Sequence, residues 1–156
     1  MLPRLARMAA LALAAGLMVS APALAGAEAE SDPVDVLGTW SFQTKPYRNG
    51  QCLMTGTMYL SPHPEEGQYT CELTAVEVCS MWGRSVVRQS CKARRFGNQV
   101  SIRSEIEEML ESKVEGLIYV PDNFTLTVES ADRMFGALVS AVTAPAEFRR
   151  ASNGIS

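Results

Sequence analysis

The chain has 156 residues, 47% hydrophobic and 20% charged, an ordinary globular composition that excludes disordered and collagen-like classes. Its formal charge is −3; with Arg4 and Arg7 set aside in an export signal, 12 of its 14 basic residues face 17 acidic ones, which argues against binding nucleic acid. The single histidine, His63, excludes multi-histidine metal centres.

Residues 1–25 read as a signal cleaved after Ala25. Arg4 and Arg7 give the positive start, residues 8–19 are apolar, and Ala23-Leu24-Ala25 is the small-x-small pattern before the cut. About a dozen apolar residues are too few to cross a hydrocarbon core of ~30 Å as a helix. Gly26 rather than a cysteine directly follows the cut and the arginines are not adjacent, so no lipid anchor or twin-arginine export is expected. The mature chain is therefore expected in a periplasm or secreted, without a membrane anchor. Its remaining length suits one domain with a modest core. Residues 26–35 are small, acidic and aperiodic and predict a flexible leader. Residues 36–151 predict the domain and 152–156 a short tail.

From Leu37 onward the chain alternates with the period of two that marks strands. Trp40 and Phe42 share one face of the first run. In 51–60, Cys52, Met54, Met58 and Leu60 oppose Thr55 and Thr57. In 68–79, Tyr69, Cys71, Leu73, Ala75 and Cys79 oppose Thr70, Glu72 and Thr74. In 86–96, Val87, Cys91 and Ala93 oppose Arg88, Lys92 and Arg94. Val100, Ile102 and Ile106 continue the inner face, followed by Phe124, Leu126 and Val128, then Met134, Leu138 and Val142, then Phe148.

The four cysteines all fall on the apolar side. In an exported chain they predict two disulfides rather than zinc, because the spacing lacks CxxC pairs. Pairing Cys52 with Cys71 would force Pro62-His63-Pro64 into a strand, and Cys71 with Cys79 would join one strand to itself. Cys52–Cys79 and Cys71–Cys91 instead centre their turns near Glu65-Glu66 and Met81, on turn-like sequence. His63, on the first of these turns, is expected at the surface.

Eight runs predict an all-β fold: an eight-stranded antiparallel up-and-down barrel, whose closure removes exposed edges. The weakest stretch is 104–120. Ser104-x-x-Glu107 reads as a helix capping box, so a strand ending near Glu107 and a short helical or irregular connection before the sixth strand are expected. Asn123-Phe124-Thr125 matches a glycosylation acceptor that means nothing in most bacteria.

Gly38-Thr39-Trp40 on the first strand, with Phe148-Arg149-Arg150 on the last, resembles the calycin pattern of lipocalins and avidins. That resemblance implies a Trp40 plug at one end of the barrel with an arginine packed across it. Arg150 shares parity with Phe148 and is favoured over Arg149. The size and early cysteines are also similar to small periplasmic barrel inhibitors of bacterial metalloproteases, which would give residues 26–35 the role of entering a protease cleft.

Alternate connections gather at the end opposite Trp40. They bring together Tyr47, Arg48, Trp82, Arg84 and Tyr119, the aromatic and arginine chemistry of binding hot spots. These five are the candidate ligand-binding residues, for a small molecule or a protein partner. Six basic residues from Arg84 to Arg103 precede Glu105, Glu107, Glu108, Glu111 and Glu115, and predict either an anionic-ligand patch or an outer face neutralised by its acidic neighbour. Glu77 and Arg95 have inward parity and could pair inside the barrel or at its rim, since a buried charge needs a partner. No strand parity brings two carboxylates to one cavity. No metal, cofactor or catalytic group is expected, and the reading is a non-enzymatic exported binding protein, with a protease inhibitor and an enzyme using the interior as alternatives.

Overall fold

The computed structural model describes residues 33–151, so the signal, most of the leader and the tail at 152–156 lie outside the described residues. The alternating runs form β1 (Gly38–Thr44), β2 (Cys52–Pro62), β3 (Gln68–Cys79) and β4 (Gly83–Phe96). They continue as β5 (Gln99–Glu111), β6 (Asn123–Ser130), β7 (Arg133–Val139) and β8 (Thr143–Arg150). Each strand pairs antiparallel with its chain neighbour, and β8 returns to β1 from Trp40↔Arg150 to Thr44↔Ala146, closing the barrel. Both disulfides join residues directly opposite in the ladder: Cys52–Cys79 across β2 and β3, and Cys71–Cys91 across β3 and β4.

The interior is filled by side chains, as expected of eight strands. Phe42 stacks on Phe148 at 4.9 Å between centroids, and Phe124 meets both edge-on at 5.2 and 5.0 Å. Met54, Met58, Leu60, Leu73, Ile102, Leu126, Met134 and Leu138 pack around this trio. At one end Trp40 is fully buried; its indole N–H donates to the Val36 carbonyl at 2.9 Å. The Arg150 guanidinium lies 4.5 Å from the Trp40 ring centroid and donates to the carbonyls of Leu37, Asp35 and Ala131. Arg149 instead faces outward, against Glu147. The end of the leader is pinned here rather than free, since Arg150 and Arg95 hold the Asp35 and Val34 carbonyls.

The capping box at Ser104 does not start a helix, and there is no helix among the described residues. β5 continues past Glu107 to Glu111 because β4 runs beside it, through register shifts near Val86 and Arg88. Arg84 pairs with Glu111 across this hairpin, and Arg88 with Glu107 and Glu108. Long-range pairing and ion pairs thus outweigh a local helix signal. Of the two expected forms of connection, residues 112–122 take the irregular one. By contrast β6 pairs with β5 only from Gln99↔Thr127 to Ile102↔Phe124. Ile106, expected inside, is 37% exposed because β5 has by then outrun the strand that would cover it.

Gly136, midway along β7, has no room for a side chain: a Cβ there would lie well inside contact distance of the Thr125 carbonyl oxygen on β6. A backbone oxygen held in a ladder cannot swing away. Gly136→Ala is therefore expected to destabilise the fold by ~1–3 kcal/mol through overpacking. Urea denaturation checks this, and an unchanged midpoint would show that the two strands yield more easily than the geometry implies.

Candidate functional site

Four connections meet at the end opposite Trp40: 45–51, 80–82, 112–122 and 140–142. Between them lies a cavity of about 90 Å³. Its floor is buried, formed by Met54, Asp122 and Leu138, while Arg48, Ile118 and Ala141 at its edge are exposed to solvent. Tyr47, Glu77, Trp82 and Tyr119 form the walls.

The first connection folds Tyr47 inward. Arg48, Asn49 and Gly50 have φ of 51°, 58° and 78°, a left-handed run that Asn-Gly accommodates and that arginine rarely adopts. The Tyr47 and Cys52 backbones close the turn with reciprocal bonds of 3.0 and 3.1 Å, beside the Cys52–Cys79 bridge. The Tyr47 hydroxyl then donates to Glu77 Oε1 at 2.5 Å, and the Trp82 indole N–H to Glu77 Oε2 at 3.4 Å. The Arg48 guanidinium lies over the Trp82 ring, 5.3 Å from its centroid.

The other wall is built where the β5–β6 ladder stops. Backbone groups left without strand partners there are met by side chains. Ser104 N–H donates to Asn123 Oδ1, the Ser104 hydroxyl to the Asp122 carbonyl, and Asp122 N–H to Gln89 Oε1, at 2.9, 2.7 and 2.9 Å. Gln89 returns a bond from Nε2 to Asp122 Oδ2 at 2.7 Å, and the Tyr119 hydroxyl donates to the same oxygen at 2.9 Å. Asp122 is only 1% exposed, and its Oδ1 has no hydrogen-bond partner among the described residues.

Burial pushes the Asp122 carboxyl up to about 6, against the opposing bonds from Gln89 and Tyr119 and a smaller pull from the Ser140 hydroxyl; the charge of Glu77 adds to the rise. Burial likewise raises both phenols, assisted by the bond to Glu77 at Tyr47 and by the charge of Asp122 at Tyr119. Both tyrosines therefore remain protonated donors at neutral pH.

Tyr47, Arg48, Trp82 and Tyr119 are thus brought to one cavity. Arg84 is not: its guanidinium stays on the outer wall with Glu111. Glu77 and Arg95 do not pair, because Glu77 lies at the loop end and Arg95 at the closed end, bonded to the Gly97 and Val34 carbonyls. Two carboxylates, Glu77 and Asp122, do share a cavity, contrary to the parity argument. Gln89 and Asp122 are the residues that sequence reasoning missed. Gln89 shares the inner parity of Val87 and Cys91, and Asp122 that of Phe124 two residues on, so extending the alternation would have exposed both. His63 is half-buried rather than exposed, its Nδ1 accepting the Glu65 N–H at 3.1 Å.

Larger depressions of about 690 and 390 Å³ lie elsewhere on the barrel wall. The first holds Arg133 and Arg149, both paired with Glu147. Among the described residues, Asp122 Oδ1 is the buried side-chain polar atom without a partner, and Asp122 is one of the residues lining the smaller cavity.

No protein-family model matches the chain, and no curated protein matches it. Among solved structures, it is similar to a de novo designed fluorescence-activating β-barrel at 20% identity and a TM-score of 0.48, over 74% of this chain and 93% of that one.

Proposed function

We propose that the chain is an exported, non-enzymatic binding protein that takes a small ligand at the loop end of its barrel. The observation that carries this reading is the cavity walled by Tyr47, Trp82 and Tyr119 over a buried, incompletely satisfied Asp122. Aromatic walls with a few directed polar groups are the usual composition of a small-molecule site. The rest of the barrel interior is packed, which leaves the mouth as the place where the interior can take a ligand. Two disulfides fit an oxidising, extracytoplasmic compartment, as does a signal at 1–25. The Trp40–Arg150 contact fits a calycin-like barrel end.

Mass spectrometry of compounds released from protein purified out of its own exported compartment tests the reading. Wild type is expected to release a stoichiometric small molecule, and Trp82→Ala to lose most of it. Equal recovery from both, or none from either, would remove the loop-end site.

A second reading is the periplasmic inhibitor, with residues 26–32 reaching into a protease. It is favoured by one observation: Arg95 and Arg150 give such a leader a fixed root at Val34 and Asp35. Deleting 26–32 and assaying a co-secreted metalloprotease separates the two, since small-ligand binding would survive the deletion and inhibition would not.

A further inference from the structure

We propose that the loop-end cavity receives the head group of an organic amine, an ammonium whose N–H meets Asp122 Oδ1 while its carbon stem lies among Tyr47, Trp82 and Tyr119. The inference rests on the loop-end binding reading and names the ligand class for it.

The acceptor is the first argument. Asp122 has two donors on Oδ2 and none on Oδ1 among the described residues, since the nearby Ser140 hydroxyl donates to the Val120 carbonyl at 3.1 Å, yet it is almost wholly buried. A buried carboxylate oxygen without a donor is costly, and a charged N–H is the donor that relieves it best. Charge is the second. Asp122 and Glu77 both face the cavity, whereas Arg48 sits at its exposed edge over Trp82. An anionic head group would meet two carboxylates on entering.

A bare metal ion fits less well. Both Glu77 oxygens are already engaged by Tyr47 and Trp82, which leaves one free carboxylate oxygen among aromatic rings. A hard cation needs a shell of about six oxygens or more. Aromatic faces instead suit an organic cation, and Trp82 already attracts the Arg48 guanidinium.

The apolar rim sets the rest of the ligand. Ile118 is 89% exposed and Val120 42%, both lining the mouth. A cavity of about 90 Å³ takes an ammonium and its first few carbons, and a longer stem would emerge across Ile118. Glu77, Tyr47 and Tyr119 surround Asp122, with Arg48 farther out. An alkylammonium keeps its charge throughout the acidic and neutral range, so protonation of Asp122 below about 6 should weaken binding.

The test titrates n-hexylammonium, 1-hexanol and hexanoate separately into the mature chain, following heat and Trp82 fluorescence. Hexylammonium is expected to bind at least about tenfold tighter than hexanol, with hexanoate weakest. Its affinity should fall by about tenfold between about pH 8 and about pH 5. Asp122→Asn, nearly isosteric, should erase the preference for the amine over the alcohol. The ligand comparison and the pH series use wild-type protein, so they decide even where the variant folds poorly. Absence of hexylammonium binding, or hexanol binding equally well, would overturn the amine inference. Trp82-dependent binding of hexanol or hexanoate alone would do so while leaving the loop-end site standing.

Discussion

Replacing Trp40 by alanine is expected to cost ~3–5 kcal/mol of folding free energy, the range for truncating a large buried aromatic. Trp40 is fully buried at the closed end, and three things depend on its ring. The indole fills the floor beneath the barrel core. Its N–H satisfies the Val36 carbonyl, which holds the chain entering β1. Its face carries the Arg150 guanidinium, an interaction of roughly 0.5–2 kcal/mol by itself. Arg150 in turn ties Asp35, Leu37 and the β6–β7 turn at Ala131 to one point. Trp40→Phe, which keeps a ring but drops the N–H, should cost distinctly less than the alanine change. Urea unfolding of both variants checks the order. A loss below about 1 kcal/mol for Trp40→Ala would mean that the closed end does not support the fold.

The second large effect is expected at Gln89, whose side chain substitutes for the missing β5–β6 ladder. Gln89→Leu keeps most of the volume but removes a donor from Asp122 Oδ2 and an acceptor from Asp122 N–H. An orphaned buried N–H and a weakened buried carboxylate together should destabilise by ~3–5 kcal/mol at neutral pH. The pH dependence has a definite sign. Because the folded Asp122 pKa lies at about 6, above its ordinary value of 3.8, its contribution to stability is greatest below the unfolded value and is lost as pH rises through about 6. Removing the Gln89 bond, which opposes that rise, pushes the folded value higher still. The deficit of Gln89→Leu relative to wild type should therefore shrink between about pH 7 and about pH 5. Glu147, held below the usual carboxylate range by its bond from Arg133, acts oppositely and at lower pH, outside that window. A deficit that stayed constant with pH would show that Gln89 acts through packing rather than through the Asp122 charge.

Strand count, closure, both disulfides and the gathering of Tyr47, Arg48, Trp82 and Tyr119 at one end were legible in the sequence. They depend on period-two alternation and on which connections alternate in a meander, and both are counted along the chain. The errors cluster where neighbouring strands end at different heights. β5 became strand to Glu111 because β4 and its arginines lay opposite, overriding a helix signal that was real but local. Glu77 and Arg95 had the correct inward parity and the wrong partners. Parity states which face a side chain takes and is silent on how far along the barrel it sits.

The sequence by itself thus determined a closed, disulfide-linked barrel with aromatic loops at one end, because hydrophobic alternation and cysteine spacing constrain which face each residue takes. Only the tertiary structure decided that β6 starts too late to pair with the upper part of β5. That offset draws Gln89 and Asp122 into the seam and leaves a buried carboxylate oxygen beneath the mouth without a donor among the described residues. Such an offset depends on the relative lengths and register of strands distant in the chain, which no local pattern encodes.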